Sequence, residues 1–164
     1  MADEDAKILA DALKLPLAER AEHKNWKVRS ALFESLRESF AKAFSEDDPI
    51  LAESAPLFAK GAGDANANVM DKALEALCAW LAIASESQAS RIADGTCVAV
   101  ASKCLKARAG TAAKAQEALL LFVELECASA TQEACFKQLG DKVPKVVVAA
   151  LDVLLEAVSA FGTK

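Results

Sequence analysis

Pro144-Lys145-Val146-Val147-Val148-Ala149-Ala150-Leu151-Asp152-Val153-Leu154-Leu155-Glu156-Ala157-Val158-Ser159-Ala160-Phe161-Gly162 reads as a single helix closed by its last glycine. Val147, Leu151, Leu154, Val158 and Phe161 step by 4, 3, 4 and 3 residues, which makes one continuous apolar stripe at helical spacing. The rhythm returns upstream in Met70, Leu74, Leu77, Leu81 and Ala84. It returns again, more crowded, from Ala115 through Leu119 and Phe122 to Glu126, with Leu121 and Leu125 broadening the face. No segment alternates with a period of two. The composition agrees, since Ala, Leu, Glu and Lys lose little side-chain freedom in a helix. The 164 residues hold only six Gly and four Pro. The fold class is therefore all-α.

The breaks between helices carry their own signals. Asp48-Pro49 places a capping residue before Pro at the first helical position. Gly61-Ala62-Gly63-Asp64 ends that helix, Ser85–Ser87 closes the next, and Ala109-Gly110-Thr111 interrupts the following pair. Ser129 and Thr131 are candidate caps, and Gly140–Pro144 is the last internal turn. These breaks predict eight helices: 3–13, 26–45, 49–62, 67–85, 88–107, 112–127, 130–140 and 144–161, with 14–25 a linker holding at most a helical turn. The helices pair, and the pairs recur about every forty residues, with a shorter last step, as HEAT-type hairpins do. One hairpin cannot bury its apolar face alone, so a stacked solenoid of about four repeats follows. A compact helical bundle is the rival architecture.

Within each pair a polar turn leads into the second helix: His23–Arg29, Asn66–Lys72, Lys106–Lys114 and Lys142–Val146. These windows hold nine basic residues, Lys24, Lys27, Arg29, Lys72, Lys106, Arg108, Lys114, Lys142 and Lys145, against one acid, Asp71. The windows sum to +8, so the rest of a chain of net charge −5 carries −13. In a stacked array such turns line up on one edge, and a basic ridge on an acidic body suits an acidic partner. The acidic total disfavours nucleic acid. No apolar run could span a membrane. Trp26 lies among these cations off any apolar stripe, and two placements are open: a staple folded over the helix start, or an exposed interface anchor. Trp80 lies in the stripe region of its helix and is assigned to the core.

Catalytic chemistry has little to work with. His23 is the only histidine and sits beside lysines, which disfavours a general-base role. Cys78, Cys97, Cys104, Cys127 and Cys135 lack zinc-ligand or CxxC spacing and lie in apolar helical patterns, so they read as reduced core thiols. Gly61 and Gly63 follow no strand and precede no Lys-Ser/Thr, so no phosphate loop is present. No enzyme activity, metal or cofactor is expected. A thiol-dependent enzyme is the alternative from another class, and it would require a low-pKa cysteine.

Leu15-Pro16-Leu17-Ala18-Glu19-Arg20 followed by His23-Lys24-Asn25-Trp26-Lys27-Val28-Arg29 resembles the start of a TOG domain, most closely the first TOG domain of the microtubule polymerases. The resemblance continues in Asp64–Leu74, in Lys142–Val153 and in the closing Phe161-Gly162-Thr163-Lys164, and so covers nearly the whole of a single domain, 1–164. It implies a HEAT-repeat paddle whose intra-repeat loops grip the αβ-tubulin heterodimer, within proteins that speed tubulin addition at microtubule plus ends. It implies a cytoplasmic, cytoskeletal setting at plus ends, the mitotic spindle and the centrosome. By position, the resemblance makes Trp26 the leading contact to β-tubulin, with Lys27 and Arg29 following and Arg29 able to turn inward as a brace. Asn68 and Val69, beside Asn66 and Lys72, occupy the second loop. Arg108, Thr111 and Lys114 occupy the third, and Lys142, Val143 and Lys145 the fourth. The family domain has six repeats and this chain about four. The expectation is therefore an N-terminal fragment of a longer protein, whose last helix pair exposes an apolar face open to self-association. The alternative function is a general HEAT scaffold for another acidic cytoplasmic partner.

Overall fold

The computed structural model describes residues 1–162, and among these every regular element is helical. The elements are α1 (Ala2–Ala12), α2 (Leu17–Ala21), α3 (Trp26–Lys42), α4 (Pro49–Ser54), α5 (Phe58–Ala62), α6 (Ala67–Leu81), α7 (Glu86–Ala99), α8 (Ala109–Glu124), α9 (Ala128–Gln138) and α10 (Pro144–Phe161). The expected linker at 14–25 contains the short α2, and the expected single helix at 49–62 is broken. Pro56 has no N–H to give, and the chain passes through a 3₁₀ turn at Ala55–Leu57 between α4 and α5. The helix expected at 88–107 ends instead as a π-turn over Val100–Cys104.

The main helix-to-helix contacts join neighbours in the stack. One layer runs α3, α6, α8, α10, and the other runs α5, α7, α9, each helix touching the next in its own layer and its hairpin partner in the other. That pattern is a solenoid rather than a bundle. The second helices of the four hairpins begin at Trp26, Ala67, Ala109 and Pro144. A single core threads the stack. It is anchored by Phe33, Phe40, Phe58, Trp80 and Phe122, each no more than 1% exposed. Trp80 packs against Phe58 with ring centroids 5.8 Å apart and planes tilted by 59°, and it donates its Nε1–H to the Leu51 carbonyl at 3.0 Å, so its one polar atom is satisfied inside the core.

Local chemistry fixes the helix starts. Asn25 and Asn66 cap α3 and α6, and Asp48 caps α4. Ser85 and Gln88 form a reciprocal capping box at the start of α7, so Ser85 opens that helix rather than closing the previous one. Neither Ser129 nor Thr131 caps α9. Thr131 is buried and donates to the Leu119 carbonyl at 2.9 Å. Gly61 is not a simple stop signal either. It is buried in α5, where an added Cβ would meet Phe33 Cζ at 2.4 Å and Ala73 Cβ at 2.7 Å, so it permits a close helix crossing. Gly162, at φ +80°, does end α10.

The stripe on α10 is the main correction. The face that packs inward is Val146, Ala150, Val153 and Ala157, while Leu151, Val158 and Phe161 are 42%, 49% and 41% exposed. The helix is apolar on two sides. Its larger residues face an open groove of about 430 Å³ that Phe136 and Leu155 also line. Thr163 and Lys164 lie outside the described residues.

Candidate functional site

Three of the four second helices, α3, α6 and α10, start from a turn built the same way, while α8 starts at Ala109 without a side-chain cap. A side chain accepts the N–H two residues on: His23 Nδ1 from Asn25, Asp64 Oδ1 from Asn66 and Asp141 Oδ1 from Val143, at 3.1, 2.8 and 2.8 Å. Asn25 and Asn66 then accept the N–H of Lys27 and Asn68, each at 2.9 Å. These bonds hold the turn against the helix N-terminus.

The four turns form one row, because side chains link each to the next. Arg29 Nε and Nη2 donate to Asp64 Oδ2 and Oδ1 at 2.7 and 3.0 Å, joining the first turn to the second. Arg108 and the Thr111 hydroxyl both donate to Asp71, joining the third to the second. Lys145 Nζ donates to the Ala107 carbonyl at 2.9 Å, joining the fourth to the third. Behind the row, Lys114 meets Glu75 at 2.8 Å, and Lys72 reaches Glu34 and Glu75. Lys27 pairs with Asp5 of α1.

The edge is therefore less positive than the turn windows suggest. Asp5, Glu34, Asp64 and Glu75 lie outside those windows in the chain but fold back onto their cations. Burial raises the Asp64 carboxyl, yet hydrogen bonds from Arg29 and the Asn66 N–H, with the charges of Arg29 and Lys60, outweigh it and hold the pKa below its ordinary value. Asp71 and Glu75 are lowered likewise. Burial opposes the shift in both, while Thr111 and Arg108 overcome it at Asp71 and Lys114 at Glu75. Lys24, Lys106 and Lys142 are exposed and make no ion pair among the described residues.

The expected contact residues divide into two groups. Trp26 is the first residue of α3 and 37% exposed, and Asn68, Arg108, Lys142, Val143 (45%) and Lys145 are exposed along the same row. Val69 and Thr111 are fully buried, which corrects their placement as contacts. Val69 points from the first turn of α6 into the core, and Thr111 spends its hydroxyl on Asp71. Arg29 is a brace, as its two-point bond to Asp64 and its 2.7 Å bond to the His23 carbonyl demonstrate. Lys27, Lys72 and Lys114 are half-buried in ion pairs. Lys24 and Lys106 were legible as part of the basic ridge but not as its unpaired members. No motif marks them, and only the positions of the carboxylates single them out.

No cluster of three or more His, Cys, Asp or Glu residues able to hold a metal occurs among the described residues. All five cysteines are free thiols, four of them buried, and burial pushes Cys78, Cys97 and Cys104 up to about 12 and Cys135 to about 11. No helix of the described residues is long and apolar enough to cross a membrane.

Stacked helical hairpins carrying a row of capped, cross-linked turns define the HEAT-like class of repeat domains. Within it, the chain belongs to the XMAP215/Dis1/CLASP TOG domain family, whose family model matches residues 11–164. Protein MOR1 of Arabidopsis thaliana is 44% identical over all 164 residues, and Protein MOR1 of rice is 45% identical. The chain spans only 8% of the length of each. Spindle pole body component alp14 of Schizosaccharomyces pombe is 29% identical over 94% of this chain and 20% of its own. A solved TOG domain array, from work on tubulin recruitment and assembly by microtubule polymerases, superposes with a TM-score of 0.80 at 25% identity. That match covers 89% of this chain and 31% of the other. The TOG domain of human Cep104 shares the fold, with a TM-score of 0.65 at 14% identity over 99% of this chain and 68% of its own.

Proposed function

We propose that this chain binds the αβ-tubulin heterodimer through its row of turns, as the first TOG domain of a microtubule plus-end polymerase that promotes microtubule growth. The observation that carries the proposal is the 37% exposed indole of Trp26 standing at the end of a row of turns cross-linked by side chains. An exposed aromatic beside a cation that makes no ion pair, here Lys24, suits an interface anchor. Trp26 and Val143 supply desolvated contact at the two ends. Asn68 supplies a hydrogen-bonding group between them, and Lys24, Arg108, Lys106, Lys142 and Lys145 steer an acidic surface into place. Arg29, Lys72, Lys114 and Thr111 keep the row straight. The role is binding without catalysis, in the cytoskeletal compartment of microtubule ends and spindles.

The test is size-exclusion chromatography with unpolymerised tubulin. The wild-type chain should co-elute with tubulin, and Trp26→Glu should abolish co-elution while leaving the helical circular dichroism unchanged. Binding that survives Trp26→Glu would favour a general scaffold for a different acidic partner. The open apolar side of α10 supports a second reading, self-association through that face. Sedimentation should then show a concentration-dependent species that Leu155→Glu removes.

A further inference from the structure

Two arginines of this chain have little access to water, and they are treated differently. Arg29 is held by a carboxylate and a carbonyl. Arg20 is only 8% exposed, has no carboxylate partner, and gives one long bond, Nη2 to Ser35 Oγ at 3.4 Å. The described residues contain no side-chain nitrogen that is both sealed from solvent and without a hydrogen bond. Arg20 Nε and Nη1 make no bond and are therefore not sealed from solvent. Desolvation without a compensating charge lowers the affinity of this guanidinium for its proton. A nearly buried cation left in that state is costly, and an anion reaching it would gain correspondingly.

The space beside Arg20 is a groove of about 420 Å³ between α1 and α3. Apart from Arg20 its lining is wholly apolar. α1 contributes Ala6, Leu9, Ala10 and Ala12, its C-cap Leu13 continues the 6, 9, 10, 13 spacing, and Val28 and Ala31 lie opposite. That spacing is one stripe of a helix, and its partner α3 leaves it uncovered, since Leu13 is 66% exposed. Alanines at 6 and 10 let another backbone approach closely. An open slot walled by a helical stripe fits a helix better than an enclosed small molecule.

We infer that this groove receives an amphipathic helix of a partner protein, its apolar side laid on Leu9 and Leu13 and one Asp or Glu carboxylate meeting Arg20. The inference does not rest on tubulin binding, and the groove uses none of the exposed residues of the turn row.

A phage-displayed library of helical peptides, selected on the full chain, tests it. Enriched peptides should carry Asp or Glu at a fixed position with Leu or Ile three or four residues away. Replacing that acid by its amide should weaken binding by about tenfold or more, the scale of a charge-assisted bond. Leu13→Glu, at an exposed position, should abolish binding with an unchanged melting temperature. Arg20→Gln should erase the preference for the acid over the amide, which a merely structural arginine would not do. Failure to enrich helical peptides, equal affinity for acid and amide, or indifference to Leu13→Glu would each overturn the inference. So would a concentration-dependent dimer in sedimentation that Leu13→Glu and Leu155→Glu each abolish, since the groove would then be filled by α10 of a second copy.

Discussion

Arg29 and Asp64 stand 35 residues apart in the chain and meet through two parallel bonds of 2.7 and 3.0 Å. The guanidinium belongs to the first turn and the carboxylate to the second, so one ion pair sets the distance between two neighbouring repeats. Their side chains are 18% and 10% exposed, dry enough for the pair to matter. A double-mutant cycle of Arg29→Ala and Asp64→Ala, followed by urea unfolding, should give a coupling energy of about 1–3 kcal/mol. A coupling near zero would make the pair incidental.

Acid should loosen the row. Asp64 and Asp71, ordinarily near 3.8, and Glu75, ordinarily near 4.5, all have lowered values in the fold. A carboxylate depressed on folding contributes stability that is complete above its unfolded pKa and is lost as pH falls through its folded one. Stability should thus be flat with respect to these groups above about pH 5 and decline below about pH 4. Denaturation midpoints measured from pH 7 to pH 3 check this, and Asp64→Asn should flatten part of the decline.

The two tryptophans should behave oppositely. Trp80, fully buried and bonded to the Leu51 carbonyl, should cost about 3–5 kcal/mol when replaced by alanine. Trp26→Ala should cost under about 1 kcal/mol, since the indole is partly in water. Acrylamide quenching of Trp80→Phe and Trp26→Phe separates the emissions, and the first variant should be quenched far more readily.

Gly61→Ala should destabilise the stack by about 1–3 kcal/mol, because the new methyl would overlap Phe33 and Ala73. A neutral result in thermal melting would mean that the Phe33 ring can swing aside without loss.

Thiol labelling should be slow for every cysteine. With Cys78, Cys97 and Cys104 pushed up to about 12, almost no thiolate exists at pH 8. Rapid modification of one of them in the folded chain would revive a thiol-dependent activity.

Much of this fold is legible in the residues themselves. Asp48-Pro49 and the periodic runs at 70–84 and 115–122 give helices and their inward faces. Trp80 is placed in the core by its stripe. α10 is where the reading of faces fails. Leu151, Val158 and Phe161 form the more conspicuous stripe, yet the smaller Val146, Ala150, Val153 and Ala157 are the ones that pack. Periodicity counts apolar residues but does not say which of two apolar sides meets a neighbour. The edge shows the same limit. Nine cations in the turns can be counted from the chain, but Asp5, Glu34, Asp64 and Glu75 neutralise many of them from positions that only stacking brings near. Val69 sits beside Asn68 in the chain and points the other way, because consecutive helical residues are about 100° apart.

The bonds that run from turn to turn also govern how the domain deforms. Arg29, Arg108 and Lys145 tie that margin like stitches along a hem, so it resists being lengthened. A load applied at Trp26 would then be shared with Val143 at the far end, rather than absorbed by the nearest hairpin. Bending should pivot on this seam.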